Sequence, residues 1–483
     1  MIKTLLTLIL LFIISKDNLN IFQLQYYSNE RLLKVKLHNH NYNYLFFIPF
    51  FLLDLLINDN NFIIISLIFV ILISLDTKKK ISKLKYTKRA IRLLFFTLFL
   101  TLLLSLFIQK FYLLFIFLMI IFNPLLLIIS NYLDSINRLI ISFISIHKLK
   151  NKLKNIKPII IGITGSYGKT STKNYLESIL KTKYRVLKTS GNINTFKGVI
   201  SFLNKYLTND INILIIEIGL DKKRGIDKFL KLFKFDYSFL TGIEKCHLAT
   251  FKNIENIINE KMKLIKNSKV GFINNDNRYY HNNNYNSYSL NDLEYLKVEN
   301  GMTYFKIKGL DKEFKTYIIG DHQILNIVGV IKFLIYLKVD INTIYQGVIK
   351  LQSEPHRYEL KKIDDMLIID DAYNSNETSF KCSIDNLKYF KMKKILITPG
   401  VIELGKENYE VNYKLGVYIK DKIDEIILIG NNSLSIKRAL DDYKYTNYLY
   451  FNSFKEGFNY LKSKKEKDFI VLIENDLLDY YLT

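Results

Sequence analysis

The apolar positions divide the chain near residue 157. Upstream they gather in long runs, at residues 5–14, 45–57, 62–75, 91–108 and 111–127. The last two approach the ~20 residues that a helix needs to span a bilayer, and the others are shorter. Asn58-Asp-Asn-Asn61 parts the second run from the third, and Gln109-Lys110 parts the fourth from the fifth, so both pairs read as hairpins. Basic clusters at 78–89 and 148–157, with Arg31, Lys34 and Lys36, mark a cytoplasmic side. Five spans with the N-terminus outside satisfy all of them. A re-entrant second and third run is the alternative, so the count stands at four or five. The first run reads as an uncleaved anchor rather than a signal peptide, because no small-residue cleavage site follows Ile14. Asp54 either lines a substrate path or sits near an interface. Residues 131–150 have an amphipathic pattern, fitting a helix along the bilayer or a plain linker.

Downstream the pattern changes to short β-branched runs alternating with helical periods. Strands are expected at 158–164, 211–218, 236–242 and 272–276, which predicts a parallel sheet with helices on both faces. Residues 277–289 read as a polar surface loop, 298–319 as a small antiparallel hairpin, and a helix begins at Gly320 and runs to about Leu337. From about Ser353 the alternation restarts, with strands at 366–370, 394–398, 425–430 and 468–473. The expected fold class is therefore α/β: a P-loop central domain with a parallel sheet (158–352) and a smaller Rossmann-like C-terminal domain (353–483), preceded by an α-helical transmembrane region (1–157).

Composition changes this picture little. The 483 residues carry a formal net charge of +24, but lysine is spread throughout and no aromatic-interleaved basic stripe appears, so no nucleic-acid partner is expected. An anionic lipid bilayer is the expected partner for the charge. The two cysteines, Cys246 and Cys382, are too far apart in sequence and too isolated for a zinc site or a disulfide framework.

The candidate chemistry sits where the first strand of the soluble part ends. Thr164-Gly-Ser-Tyr-Gly-Lys-Thr-Ser-Thr-Lys173 places a tight turn with Gly165 and Gly168 between a strand and a helix start. Backbone N–H groups, the positive end of the helix and Lys169 converge there on an anion, and Thr170 or Ser171 can offer a hydroxyl to Mg²⁺. The full spacing would need a glycine where Ile163 stands, so this is a shorter variant. Glu217, at the end of a parallel strand beside the turn, is placed to bind Mg²⁺. His322 and Asn326 are four apart and share a helix face.

These residues resemble the Mur ligases, the ATP-dependent amide ligases of peptidoglycan precursor assembly. The resemblance runs over roughly residues 158–483. It implies that Gly165, Ser166, Gly168, Lys169, Thr170 and Ser171 form the ATP loop, and that Gly191-Asn192-Ile-Asn194 is the substrate loop. It implies a second Mg²⁺ held by Glu217, His247 and Lys261, with Lys261 carbamylated. His322 and Asn326 fall on the adenine-contacting helix start, and Arg357 on the arginine that reaches the nucleotide. Asp370-Asp371-Ala-Tyr373-Asn374-Ser-Asn376 is similar to the signature of the branch that adds D-alanyl-D-alanine to UDP-N-acetylmuramoyl-tripeptide. Two features depart from the family. Membrane runs stand in place of the domain that grips uridine diphosphate, and Ile473-Glu-Asn-Asp-Leu477 replaces a Lys-Gly-Ser-Arg stretch.

The implied activity is ATP-dependent ligation through an acyl phosphate, with catalytic roles for Lys169, Lys261 and His247. The acceptor is expected to be a muropeptide or a lipid-linked cell-wall precursor, and the amine an amino acid or dipeptide. A poly-γ-glutamate-type amide ligase, a membrane-associated phosphate-loop kinase and a nucleotide-binding subunit without turnover are the competing readings. The expected location is the cell membrane, multi-pass, with the catalytic domains cytoplasmic.

Overall fold

The computed structural model describes residues 2–25, 27–30, 32–33, 84–107, 112–191, 193–220, 223–244, 248–281, 284–299, 301–373, 375–402, 404, 407–464 and 468–475. The chain separates into two units, Met1–Ile144 and Ser145–Thr483, each taken by itself.

In the first unit the described helices are α1 (Ile2–Leu24), α2 (Lys88–Phe107) and the greater part of α3 (Tyr112–Ile156). Leu19, Phe22, Leu93 and Leu127 pack together. Several polar groups in this interior are paired. Asn123 donates to Ser15 Oγ at 2.8 Å and accepts from Asn18 at 2.9 Å, and Thr97 meets Ser130 at 3.0 Å. Among the described residues one stretch, Phe122–Ile156, meets the length and apolarity needed for a membrane crossing. The runs at 45–57 and 62–75, with Asp54, and the basic residues Arg31, Lys34 and Lys36 lie outside the described residues. The pattern at 131–150 is not a separate helix. It continues the preceding apolar run in one helix of 45 residues, because no glycine breaks it and the helix carries on past Pro124.

The second unit begins with the last turns of α3, where Leu149 is buried against the same core as Ile160 and Leu203. Its first sheet has the order β2-β3-β1-β4-β5-β6, all parallel: β1 Ile159–Thr164, β2 Val186–Lys188, β3 Ile213–Ile218, β4 Tyr237–Leu240, β5 Val270–Asn274 and β6 Asn286–Tyr288. Alternation along β1 sends Ile161 and Ile163 to one face and Ile160 to the other. The first face is covered by α4 (Lys169–Leu180) and α6 (Asp321–Tyr336), the second by α5 (Ile254–Lys266) among others. β6 is a correction to the polar loop expected at 277–289. Tyr288 is buried against Gly329, where a Cβ would lie 2.8 Å from the ring, and this anchor turns the loop's end into a strand. The expected hairpin at 298–319 is part of a three-stranded antiparallel sheet, β7 Leu293–Glu299, β8 Met302–Ile307 and β9 Glu313–Thr316.

The C-terminal sheet has the order β10-β11-β15-β12-β13-β14. Its four expected strands are β11 Met366–Asp371, β12 Lys393–Thr398, β13 Glu425–Ile429 and β15 Phe469–Glu474. Two further edge strands complete it: β10 Glu359–Ile363, antiparallel to β11, and β14 Tyr448–Phe451. α7 (Glu377–Asp385) follows the Asp370–Asn376 signature and is capped by Asn376.

Candidate active site at the glycine turn

The turn between β1 and α4 is held by its neighbours in ways that only small residues allow. Gly168 has φ 77°, and a Cβ there would lie 2.9 Å from Asn326 Oδ1. Ser166 pins the turn to the end of β4: its N–H donates to the Gly242 carbonyl at 2.7 Å, and its Oγ accepts from the Glu244 N–H at 3.0 Å. Lys169 Nζ folds back onto the turn, donating to the carbonyls of Gly165 at 2.8 Å and Ser166 at 3.3 Å. An ammonium held at a glycine turn just ahead of a helix start is placed to receive phosphate oxygens.

Register pairing of Ile163 with Glu217 delivers the carboxylate of β3 to this turn. Glu217 is buried and accepts from three side chains. Thr170 Oγ1 lies 3.1 Å from Oε2, Lys173 Nζ lies 2.7 Å from Oε2, and Asn194 Nδ2 lies 3.3 Å from Oε1. Lys173 is itself buried and also donates to the Gly191 carbonyl at 2.7 Å. Burial lowers the Lys173 pKa from its ordinary value, with Glu217 pulling it back up. The oxygens of Glu217 and the Thr170 hydroxyl are a donor set that suits a hard divalent cation. Of the two hydroxyls expected to serve, it is that of Thr170 that meets Glu217.

The nucleotide residues expected further along the chain gather where the two domains meet. Asn326 lies against Gly168, and His322 meets Tyr358 edge-on with ring centroids 5.3 Å apart. Burial holds the His322 imidazole below its ordinary value, against the opposing pull of Asp371 and Asp321. The Arg357 guanidinium lies 4.1 Å from the Tyr373 ring centroid. Asp371 accepts from the Tyr358 N–H at 3.1 Å and from Ser383 Oγ at 2.6 Å, and burial raises its pKa. Lys261 is buried on α5. Asn192, His247 and Asn374 lie outside the described residues, as does Cys246. Cys382 is a free thiol that burial pushes up to about 11.

Sequence reasoning assigned no role to Lys173, Thr241 or Glu244. Lys173 follows Lys169 by one helical turn, a spacing that puts both on one side of α4. Thr241 Oγ1 donates to the Tyr167 carbonyl, and a Cβ on Gly242 would lie 2.4 Å from the Tyr167 ring. The signal was a second Thr-Gly pair ending β4, matching Thr164-Gly165 after β1. Glu244 accepts from Thr378 of α7 and so ties the central domain to the C-terminal one.

Two protein families match the chain: the Mur ligase middle domain over residues 163–334, and the Mur ligase glutamate ligase domain over residues 356–473. A phosphate-loop domain joined to a Rossmann-like domain of these kinds makes the protein an ATP-dependent ligase that forms carbon–nitrogen bonds. The chain thus carries the middle and C-terminal domains of the Mur ligases. It is 29% identical over 345 residues to the UDP-N-acetylmuramoyl-tripeptide–D-alanyl-D-alanine ligase of Bacillus subtilis, covering 67% of this chain and 74% of that one. The ligase of the same name from Borreliella burgdorferi is 29% identical over 331 residues, covering 65% and 71%. Among solved structures, MurF from Acinetobacter baumannii superposes with a TM-score of 0.61 at 21% identity, covering 68% of this chain and 76% of that one. MurF from Thermotoga maritima in complex with ADP gives 0.60 at 24%, covering 68% and 78%. These likenesses confirm the α/β fold of both domains.

Proposed function

We propose that this ligase adds D-alanyl-D-alanine, or another amino acid or dipeptide, to a muropeptide cell-wall precursor by way of an acyl phosphate. The observation that carries the reading is the buried Glu217 carboxylate on the Thr170 hydroxyl at the phosphate turn. The Bacillus subtilis and Borreliella burgdorferi relatives, named for that ligation, support the choice of substrates. Lys169 exchanges the turn's own carbonyls for phosphate oxygens of ATP, which are stronger acceptors for an ammonium. Thr170 and Glu217 are the residues that would hold Mg²⁺; Glu217, His247 and a carbamylated Lys261 would hold a second ion. Bound Mg²⁺ supplies Lewis-acid charge at the transferring phosphoryl group. Asn326, His322 and Arg357 orient the nucleotide between the domains, and Tyr373 serves substrate binding. The acceptor carboxylate takes the γ-phosphoryl group. The amine nitrogen then attacks the acyl carbon, phosphate leaves, and the amine gives up a proton. Closure of the C-terminal domain shields the acyl phosphate from water.

The helical unit anchors the enzyme at a membrane, with the ligase domains on the cytoplasmic side where ATP is. The apolar stretch Phe122–Ile156 and the net charge of +24 support this. The test is phosphate release by the purified full chain with Mg²⁺-ATP, a muramoyl-tripeptide and D-alanyl-D-alanine. Release that requires both acceptor and amine is expected. No amine-dependent release across a panel of muropeptides and amines would overturn the reading.

A further inference from the structure

The helical unit carries a charge arrangement that ligation chemistry leaves unexplained. Arg89 and Arg92 stand one turn apart at the start of α2, and Arg138 stands one turn beyond Asp134 on α3. All three converge on the Asp134 carboxylate. Arg92 Nε lies 2.7 Å from Oδ1, while Arg138 Nε at 3.4 Å and Arg89 Nε at 3.8 Å approach Oδ2. Asp134 is fully buried, whereas the arginine side chains keep 29% (Arg89), 33% (Arg92) and 26% (Arg138) of their exposure. Arg89 is further fixed by Asn131 Oδ1, 3.0 Å from its Nη2, and by the Tyr27 ring, 3.9 Å from the guanidinium carbon.

Three cations share one anion in this group. Among the described residues Asp134 is the carboxylate that pairs with them. Arg89 Nε and Asp134 Oδ2 are buried and make no hydrogen bond, so the cluster is geometrically incomplete. Its placement is also electrostatically unfavourable. The guanidiniums repel one another, and cations in the first turn of α2 oppose the positive end of the helix dipole. A dianion seated among the forks relieves both penalties, because guanidinium matches phosphate oxygens two at a time. The same helices present exposed apolar side chains, Ile91 and Phe95 on α2, Ile136 and Leu139 on α3, at 53%, 64%, 56% and 70% exposure.

We propose that Arg89, Arg92 and Arg138 form a binding site for a diphosphate carried on a hydrocarbon chain, with the phosphates among the guanidiniums and the chain along the apolar residues. Soluble nucleotides carry the same diphosphate, so the experiment compares the two carriers. The full chain is placed in phosphatidylcholine nanodiscs without ATP, muropeptide or amine, and binding of labelled farnesyl diphosphate and of UDP is measured. Saturable binding of farnesyl diphosphate is expected, with UDP the weaker competitor. The double variant Arg92→Gln/Arg138→Gln should bind about tenfold more weakly or worse. Arg92→Lys/Arg138→Lys keeps the charges, so it controls for folding, and it should fall between. Tighter binding of UDP, lost in the same variants, supports the diphosphate site and assigns it to a soluble carrier. Binding of neither compound by the wild type, or undiminished binding by the glutamine variant, overturns the proposal. The assay contains no ligation substrates, so its failure leaves the ligase reading untouched.

Discussion

Among the described residues Lys173 is the cation hydrogen-bonded to Glu217 at the turn, and the two side chains are 1% and 2% exposed. Removing one partner of such a pair strands a buried charge, at a cost of roughly 3–5 kcal/mol. Lys173→Met should therefore lower the melting temperature, and added Mg²⁺-ATP should restore part of it, because a divalent ion replaces the missing charge. Unchanged melting would show that the pair contributes little. A second buried group predicts a pH effect. Burial first, and Asp371 second, raise the Glu474 pKa well above its ordinary 4.5. A carboxyl raised in the folded state holds its proton more tightly folded than unfolded. Its contribution is thus favourable below about 4.5 and is lost as pH climbs towards the folded value. Glu474→Gln should raise the melting temperature at pH 8, leave it nearly unchanged at pH 4, and flatten the decline between. An equal or lower melting point for the variant at pH 8 would contradict this. Thr170 and Glu217 were legible in the sequence because turn chemistry and strand ends constrain their positions, whereas Asn326 stood out only through the family resemblance. Lys173 and Glu474 were not, since their roles depend on which strands lie side by side.

The turn and α4 act as one element, and its glycines are set by contact as much as by backbone. Alanine at Gly168 would take a left-handed conformation costing about 1–2 kcal/mol and would press on Asn326. Gly168→Ala is expected to weaken ATP binding more than it lowers thermal stability, as measured by nucleotide titration alongside melting. Wild-type ATP affinity in the variant would show that the turn tolerates the side chain. Strands with continuous β-branched runs, such as β1 and β3, could be read directly. The edge strands β10 and β14 could not, because Glu359–Ile363 and Tyr448–Phe451 are short and only partly buried. The continuity of α3 was hidden because its composition shifts from apolar to amphipathic and Pro124 lies within it.

Within the second unit, polar contacts among the described residues help to join the two ligase domains. Asp321, at the start of α6, accepts from Lys388 Nζ at 2.9 Å and from Tyr389 Oη at 2.5 Å, and its N–H donates to Asn386 Oδ1 at 2.9 Å. Glu354 accepts from Asn174, and Glu244 from Thr378, at two other points of the boundary. Ile319 adds apolar packing against the C-terminal core, and a boundary of this mixed kind suits domains that open and close. Asp321→Ala should reduce turnover while leaving ATP affinity close to wild type, because it loosens closure without touching the phosphate turn. An equal loss in both would place Asp321 in nucleotide binding instead. The two-domain division was legible from the restart of the βα alternation, but the residues across the boundary were not, being far apart in sequence. The order of the C-terminal sheet has a consequence for biosynthesis. β15 is inserted between β11 and β12, in register with both. A nascent chain that has not yet reached Phe469 leaves the sheet in two halves with bare inner edges. A premature stop codon upstream of that point would therefore yield prey for quality-control proteases rather than a weakened enzyme.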